Sequence, residues 1–274
     1  MPLAVPRSLT PSKVEAFGQC PLAFRFRVLD HLPEPPTRAS LLGTLVHRSL
    51  ELLFWERPAG QRTPSAEAEA LEAAWAEPSW QASLAMLALP DDEQRALRAE
   101  AAALVGRLRT VENPDAADVV GVELTVEAPV EGVRLRGVID RLDRQEDGRL
   151  VVVDYKTGRV PPASADQARL AGVRLYALLV EQVLGVVPAA VRLVYLRGPV
   201  VVESQVDQRQ TVATRRRTLA VWAAIERACE REDFRPRPSV LCRFCAFRDR
   251  CPAQGAHPLS ASGSASAQPP LPGV

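Results

Sequence analysis

The stretch that most constrains this chain is LVVVDYKTGRV, Leu150 to Val160. Val151 to Val153 are β-branched and apolar, the composition of a strand buried on both faces. With no turn residue between, the run passes into Asp154, Tyr155 and Lys156. Side chains alternate along a strand, so Asp154 and Lys156 share one face and Tyr155 takes the other. The ordinary explanation of a D-x-K strand end is a salt bridge at a sheet edge. The valine run instead predicts a central strand, where an isolated carboxylate carries a desolvation penalty of several kcal/mol. A bound cation accounts better for acid and lysine together at such a place. The lysine is itself a signal, because among 34 Lys and Arg residues only Lys13 and Lys156 are lysines. An ammonium on a flexible stem can orient a water or neutralise a developing charge, and burial tunes its pKa. A guanidinium is planar, bulkier and never loses its proton.

Upstream, VVGVELTVEAPV and VRLRGVIDRLDR read as two further strands. A short turn over Gln145–Gly148 joins the second of them to RLVVVDYK as a hairpin. Asp140, late in its strand, then lies across from residues 154–156, and Glu123 lies on the strand before. His47, on the helical stretch GTLVHRSLE, can be added from elsewhere in the fold. Hard oxygen donors without clustered thiolates favour Mg²⁺ or Mn²⁺ over zinc. Such a site suits hydrolysis of a phosphate ester by metal-activated water.

The rest of the chain predicts an α/β protein: helices, three strands, a helix, two strands and a helix. Thr10 opens the first helix with Pro11 at its first position, and Pro21 breaks or restarts it. Leu42, Leu45, Val46, Ser49, Leu50 and Leu53 form one helical stripe, and residues 66–110 read as two or three helices. Residues 1–257 are expected to form one domain: a first segment over 9–30, a helical region over 31–116, a core over 117–207, and a helix with a cysteine module over 208–256. A Ser-, Ala-, Pro- and Gly-rich tail, 258–274, is expected to be disordered.

The formal net charge of +1 argues against a wholly basic nucleic-acid binder and leaves local patches open. Arg215 to Arg217 and the arginines between 243 and 250 are candidate phosphate contacts, although arginine runs are usually solvated faces. There is no apolar run long enough to span a membrane, no signal-peptide layout and no GxxxxGK[ST] phosphate loop. The reading is a cytoplasmic protein with no ATP-driven motor of its own. In a reducing compartment, spaced cysteines read as metal ligands before disulfides. Cys242, Cys245 and Cys251 are three such thiols, Cys20 is the candidate fourth, and Cys229 reads as a core residue. By count the four suit a [4Fe–4S] cluster or a structural zinc equally. Phe244 and Phe247 beside them could stack bases or shield the metal.

GVIDRLDR followed by GRLVVVDYKTG closely resembles the core of the PD-(D/E)XK nucleases, in their RecB-like and Cas4-like branch. LTPSKVEAFGQCPLAFRF resembles that branch's N-terminal segment, and GTLVHRSLE its histidine helix. The matches run in the family's order from about Leu9 to Cys251. The resemblance implies a nuclease core, a mixed central sheet flanked by helices, with a helical N-terminal insert and a C-terminal cysteine module. It implies that His47, Asp140 and Asp154 bind the metal with the Tyr155 carbonyl, that Lys156 is the catalytic lysine, and that Glu123 is a further acidic residue. Tyr176 matches the tyrosine of the family's Q-x-x-x-Y helix, whose glutamine is replaced here by Gly172; Gln167 is no obvious substitute. The cysteine set resembles that of the iron–sulfur nucleases and favours [4Fe–4S] over zinc. The expected activity is a DNA exonuclease in repair or recombination, acting with a separate helicase. The competing expectation is a catalytically weak or inactive DNA-binding module that keeps the fold.

Overall fold

Val151, Val152 and Val153 are each completely buried, because the strand that carries them has neighbours on both edges and helices on both faces. The structure, a computed structural model, describes residues 2–160 and 166–255. The tail expected to be disordered lies outside them, and the side chain of Gln167 lies outside the described set.

Helix α1, Pro11–Gln19, starts as its sequence dictates, with Thr10 accepting a hydrogen bond from the Lys13 N–H and Pro11 in the first turn. Pro21 restarts the helix as α2, Pro21–Phe24, which continues into a turn of π-helix over Arg25–Leu29. Helix α3, Arg38–Glu56, buries the whole predicted stripe from Leu42 to Leu53. The 66–110 region forms three helices: α4 (Pro64–Ala76), α5 (Pro78–Leu87) and α6 (Asp91–Arg107).

Five strands follow in the order β1 (Asp118–Val130), β2 (Val133–Arg144), β3 (Leu150–Lys156), β4 (Ala190–Tyr195) and β5 (Val200–Gln205). They lie side by side in chain order; only β3 and β4 are parallel. That parallel pair needs a crossover, supplied by helix α7, Asp166–Leu184. Helix α8, Gln208–Arg231, follows, and then three short 3₁₀ turns carry the C-terminal cysteines. The α3–α6 helices cover one face of the sheet with Val151, Val153 and Tyr155. Helices α1, α2, α7 and α8 cover the other with Leu142 and Val152. Among the described residues no helix is long and apolar enough to cross a membrane.

The hairpin partners do not run the length of one another. β3 pairs with β2 only over Arg141–Arg144, so the outer part of β2 extends beyond it. There Leu9 takes over, its N–H bonding to the Arg134 carbonyl and its carbonyl accepting from the Arg136 N–H.

Candidate active site

The β1–β2 ribbon turns over where the site lies. Leu124, Val126, Ala128 and Val130 pack on the α7 side, whereas Val119 and Val122 pack on the α3 side. On β2, Ile139 and Leu142 both face α7 although three residues apart, which unbroken alternation forbids. The reversal falls at Glu123 and Asp140, opposite each other in a ladder that pairs Val122 with Arg141 and Leu124 with Ile139. Glu123 has φ of +46°, a left-handed conformation that costs a non-glycine residue about 1–2 kcal/mol. Asp140 is released from the ladder, and its carboxylate takes the place of a backbone acceptor for the Tyr155 N–H at 2.7 Å.

This local inversion brings ligand atoms together. His47 Nδ1, reaching over from α3, is 3.5 Å from Asp140 Oδ2. One ligand atom each from His47, Glu123 and Asp140 lies within 4.8 Å of the other two. An imidazole and two carboxylates converging in a half-buried cleft are a donor set that fits a divalent cation. The electrostatics agree: burial, with Asp140 and Glu51 nearby, pushes the Glu123 carboxyl up to about 7. A cavity of about 570 Å³ between α3 and α5 opens beside His47 and Glu123.

Asp154 stands next to this group rather than in it. It is buried and ion-paired with Lys156, which shares its face of β3. Burial raises the Asp154 carboxyl and Asp140 raises it further, against the lowering effect of Lys156. For Lys156, burial works against the charge, but Asp154, Asp140 and Glu15 outweigh it and hold the ammonium protonated. Tyr155 points to the opposite face. Alternation turns its carbonyl toward β2, since the Leu150 and Lys156 carbonyls accept from Ala189 and Leu196 on the β4 side.

Tyr176, on α7, lies near all three carboxylates; burial and then Asp154, Asp140 and Glu123 raise its pKa, so it remains a hydroxyl donor. Its ring sits on Gly137, where a Cβ would come within 2.7 Å of Cε1. A Cβ at Gly172, one turn before Tyr176, would meet nothing within 4 Å. A Cβ at Gly43 would lie 3.4 Å from Thr157 Oγ1, so the start of α3 passes close over the loop after Lys156.

Behind the site is a network that sequence reading missed. Arg141 is 1% exposed and projects to the α3 side. Its guanidinium donates to Glu112 at 2.6 and 3.0 Å, to Asp143 at 2.8 Å through two nitrogens, and to the Tyr155 hydroxyl at 2.5 Å. It also lies 4.3 Å from the centre of the Phe54 ring. Asp140, Arg141 and Asp143 are therefore divided by alternation: one acid for the cleft, one to hold the arginine. The i, i+2 spacing of Arg141 and Asp143 was the available signal; Glu112 carried none.

Cys20, Cys242, Cys245 and Cys251 all line one cavity of about 240 Å³ between α1–α2 and the C-terminal turns. The Arg237 N–H points at Cys20 Sγ at 3.4 Å and the Ser239 N–H at Cys242 Sγ at 3.3 Å. No three of the four sulfurs lie within 4.8 Å of one another. Cys229 is buried elsewhere in the core. Phe247 is buried, whereas Phe244 is 73% exposed. Of the other arginines singled out, Arg215 lies 3.7 Å from Glu181.

The sequence profile described as the PD-(D/E)XK nuclease superfamily matches residues 8–252. No curated protein sequence matches the chain. Among solved structures, one described as "Putative exonuclease" from Eubacterium rectale is similar over 94% of this chain and 91% of its own, at 10% identity and a TM-score of 0.53. The crystal structure of SSO0001 aligns with 78% of this chain and 85% of its own, at 17% identity and a TM-score of 0.36.

Proposed function

Because the chain belongs to the PD-(D/E)XK nuclease superfamily, we propose that it is a Mg²⁺- or Mn²⁺-dependent deoxyribonuclease of the RecB-like and Cas4-like type. It removes nucleotides from DNA ends, in repair or recombination. The observation that carries the reading is the convergence of His47, Glu123 and Asp140 beside the Asp154–Lys156 pair. In this reading those three residues hold the cation, and Asp154 and the Tyr155 carbonyl complete its ligand set. When bound, a divalent cation supplies Lewis acidity and a more acidic water. The Tyr155 N–H fixes the Asp140 carboxylate. Lys156, kept charged, orients the attacking water and neutralises charge developing on the phosphate oxygens. Tyr176 contributes a hydroxyl donor on the α7 side. The fold neighbour described as an exonuclease is in keeping with attack at ends. In this reading strand separation falls to a separate helicase.

The four cysteines hold a [4Fe–4S] cluster in this reading. The two N–H···S contacts, to Cys20 and Cys242, are of the kind that stabilise cluster thiolates. The cluster ties residue 20 to residues 242–251, so its binding energy becomes folding energy.

The test is Mn²⁺-dependent digestion of labelled single- and double-stranded DNA by wild type, Lys156→Ala and Asp140→Ala. Wild type alone should cut. Equal activity in all three would remove the site assignment. No cutting by any of them would favour a binding module that keeps the fold. Iron content and visible absorbance, lost in Cys242→Ser, separate iron–sulfur from zinc.

A further inference from the structure

Lys13 stands where helix physics disfavours it. It is the third residue of α1, capped by Thr10. That position favours glutamate, which would complete a capping box and suit the positive end of the helix dipole. A lysine there places like charge against the dipole. It is also one of only two lysines in the chain.

Nothing acidic compensates it. Among the described residues its ammonium donates to the Ser8 carbonyl at 2.8 Å and has no carboxylate partner. Its burial, and then the nearby charge of Arg136, lower its pKa. Arg136 lies on the exposed face of β2, and Glu127 opposite it gives its carboxylate to Arg134. Lys13 also lines a cavity of about 640 Å³ together with Arg7, Arg27 and His31. Of these, Arg27 is occupied by Glu34, whereas Arg7 and Arg136 have no ion-pair partner among the described residues.

The position of this cationic group is informative. Arg136 and Val138 alternate onto the exposed face of β2 and lead to Asp140, where the ribbon turns over. Arg136 is therefore roughly 13 Å along the strand from Asp140, the axial length of about four stacked nucleotides. An uncompensated cation row that runs from the carboxylates into an open cavity fits a linear polyanion.

We propose that Lys13, Arg136 and Arg7 form a phosphate track that holds one nucleic-acid strand as it leaves the carboxylate site. This rests on the nuclease reading above. The track reads phosphates and carries no base preference.

The decisive variant is Lys13→Glu, which reverses the charge while completing the Thr10 capping box. Thermal unfolding should show a Tm equal to or above wild type. Fluorescence anisotropy with a labelled 20-nucleotide single strand should show binding weakened by about tenfold. The dependence of log K on log salt should be shallower by about 0.7 for each phosphate no longer neutralised. An abasic oligonucleotide of the same length should be weakened as much. Arg136→Gln, on the sheet surface, should repeat the effect free of any helix contribution. Unchanged affinity and salt slope in both variants would overturn the proposal. Its failure is separable from that of the nuclease reading. Wild type that binds through Lys13 without cutting leaves the track standing, and wild type that cuts while Lys13→Glu binds normally removes it.

Discussion

Gly137→Ala is the sharpest test of how the site is packed. By local propensity the change should help, since glycine in a strand interior is destabilising by about 0.5–1 kcal/mol relative to alanine. The structure predicts the reverse. The new methyl would sit 2.7 Å from Tyr176 Cε1, 3.0 Å from Cδ1 and 3.2 Å from Leu179 Cδ1. An ordinary contact is about 3.5–4.0 Å, so the tyrosine ring must move by roughly 1 Å against a buried helix. Overpacking of this kind costs about 1–3 kcal/mol, or about 2–4 °C in Tm for each kcal/mol of destabilisation. Urea unfolding of wild type, Gly137→Ala, Tyr176→Ala and the double variant forms a closed cycle. In the Tyr176→Ala background only the 3.2 Å approach to Leu179 Cδ1, the end of a flexible side chain, is left, and Gly137→Ala should cost little or nothing, a coupling of at least about 1 kcal/mol. Metal-dependent cleavage should fall in the single variant, because the ring that moves faces the carboxylates. Additive stabilities, or a more stable Gly137→Ala single variant, would refute the reasoning.

Three further predictions follow from the same geometry. Glu123 is raised to about 7 from an ordinary 4.5, so the folded protein binds that proton more tightly than the unfolded chain. Its contribution is present below about pH 4.5 and lost as pH rises through 7. Mn²⁺ should therefore raise Tm more at pH 8 than at pH 5 by scanning fluorimetry, and an equal or larger rise at pH 5 would contradict this. Arg141→Met leaves Glu112 and Asp143 without their buried cation and should cost about 3–5 kcal/mol by urea unfolding; a change under about 1 kcal/mol would show the network to be dispensable. Gly172→Gln, entering open space on α7, should gain about 0.5–1 kcal/mol of helix stability and bind DNA more tightly by anisotropy; weaker binding would count against this helix as a DNA contact.

Much of the frame was legible because it depends on local periodicity. The stripe from Leu42 to Leu53 named the buried face of α3, and the valines of β3 named the central strand. The shared face of Asp154 and Lys156 followed from alternation alone, and the two are ion-paired. Alternation misleads where the ribbon turns over, because a left-handed glutamate has no sequence signature. Glu123, which the sequence offered only as a further acidic residue, is one of the three that converge because of that turn. Arg141 was hidden because its partner Glu112 lies in another element, 29 positions away. Gly137 and Gly43 read as motif glycines, and only the packing shows which side chains they make room for.

The shared cavity of the cysteines has a consequence for how the protein is made. Cys242 follows Cys20 by 222 positions, which at about 5–20 residues per second corresponds to roughly 11–44 s of synthesis. All five strands are translated by Gln205, before any of the three C-terminal cysteines. The sheet thus has its complete sequence while Cys20 is still a lone thiol. A ligand shared by all four sulfurs, as proposed above, can therefore be completed only after Cys251 has been made, once the whole sheet has been translated.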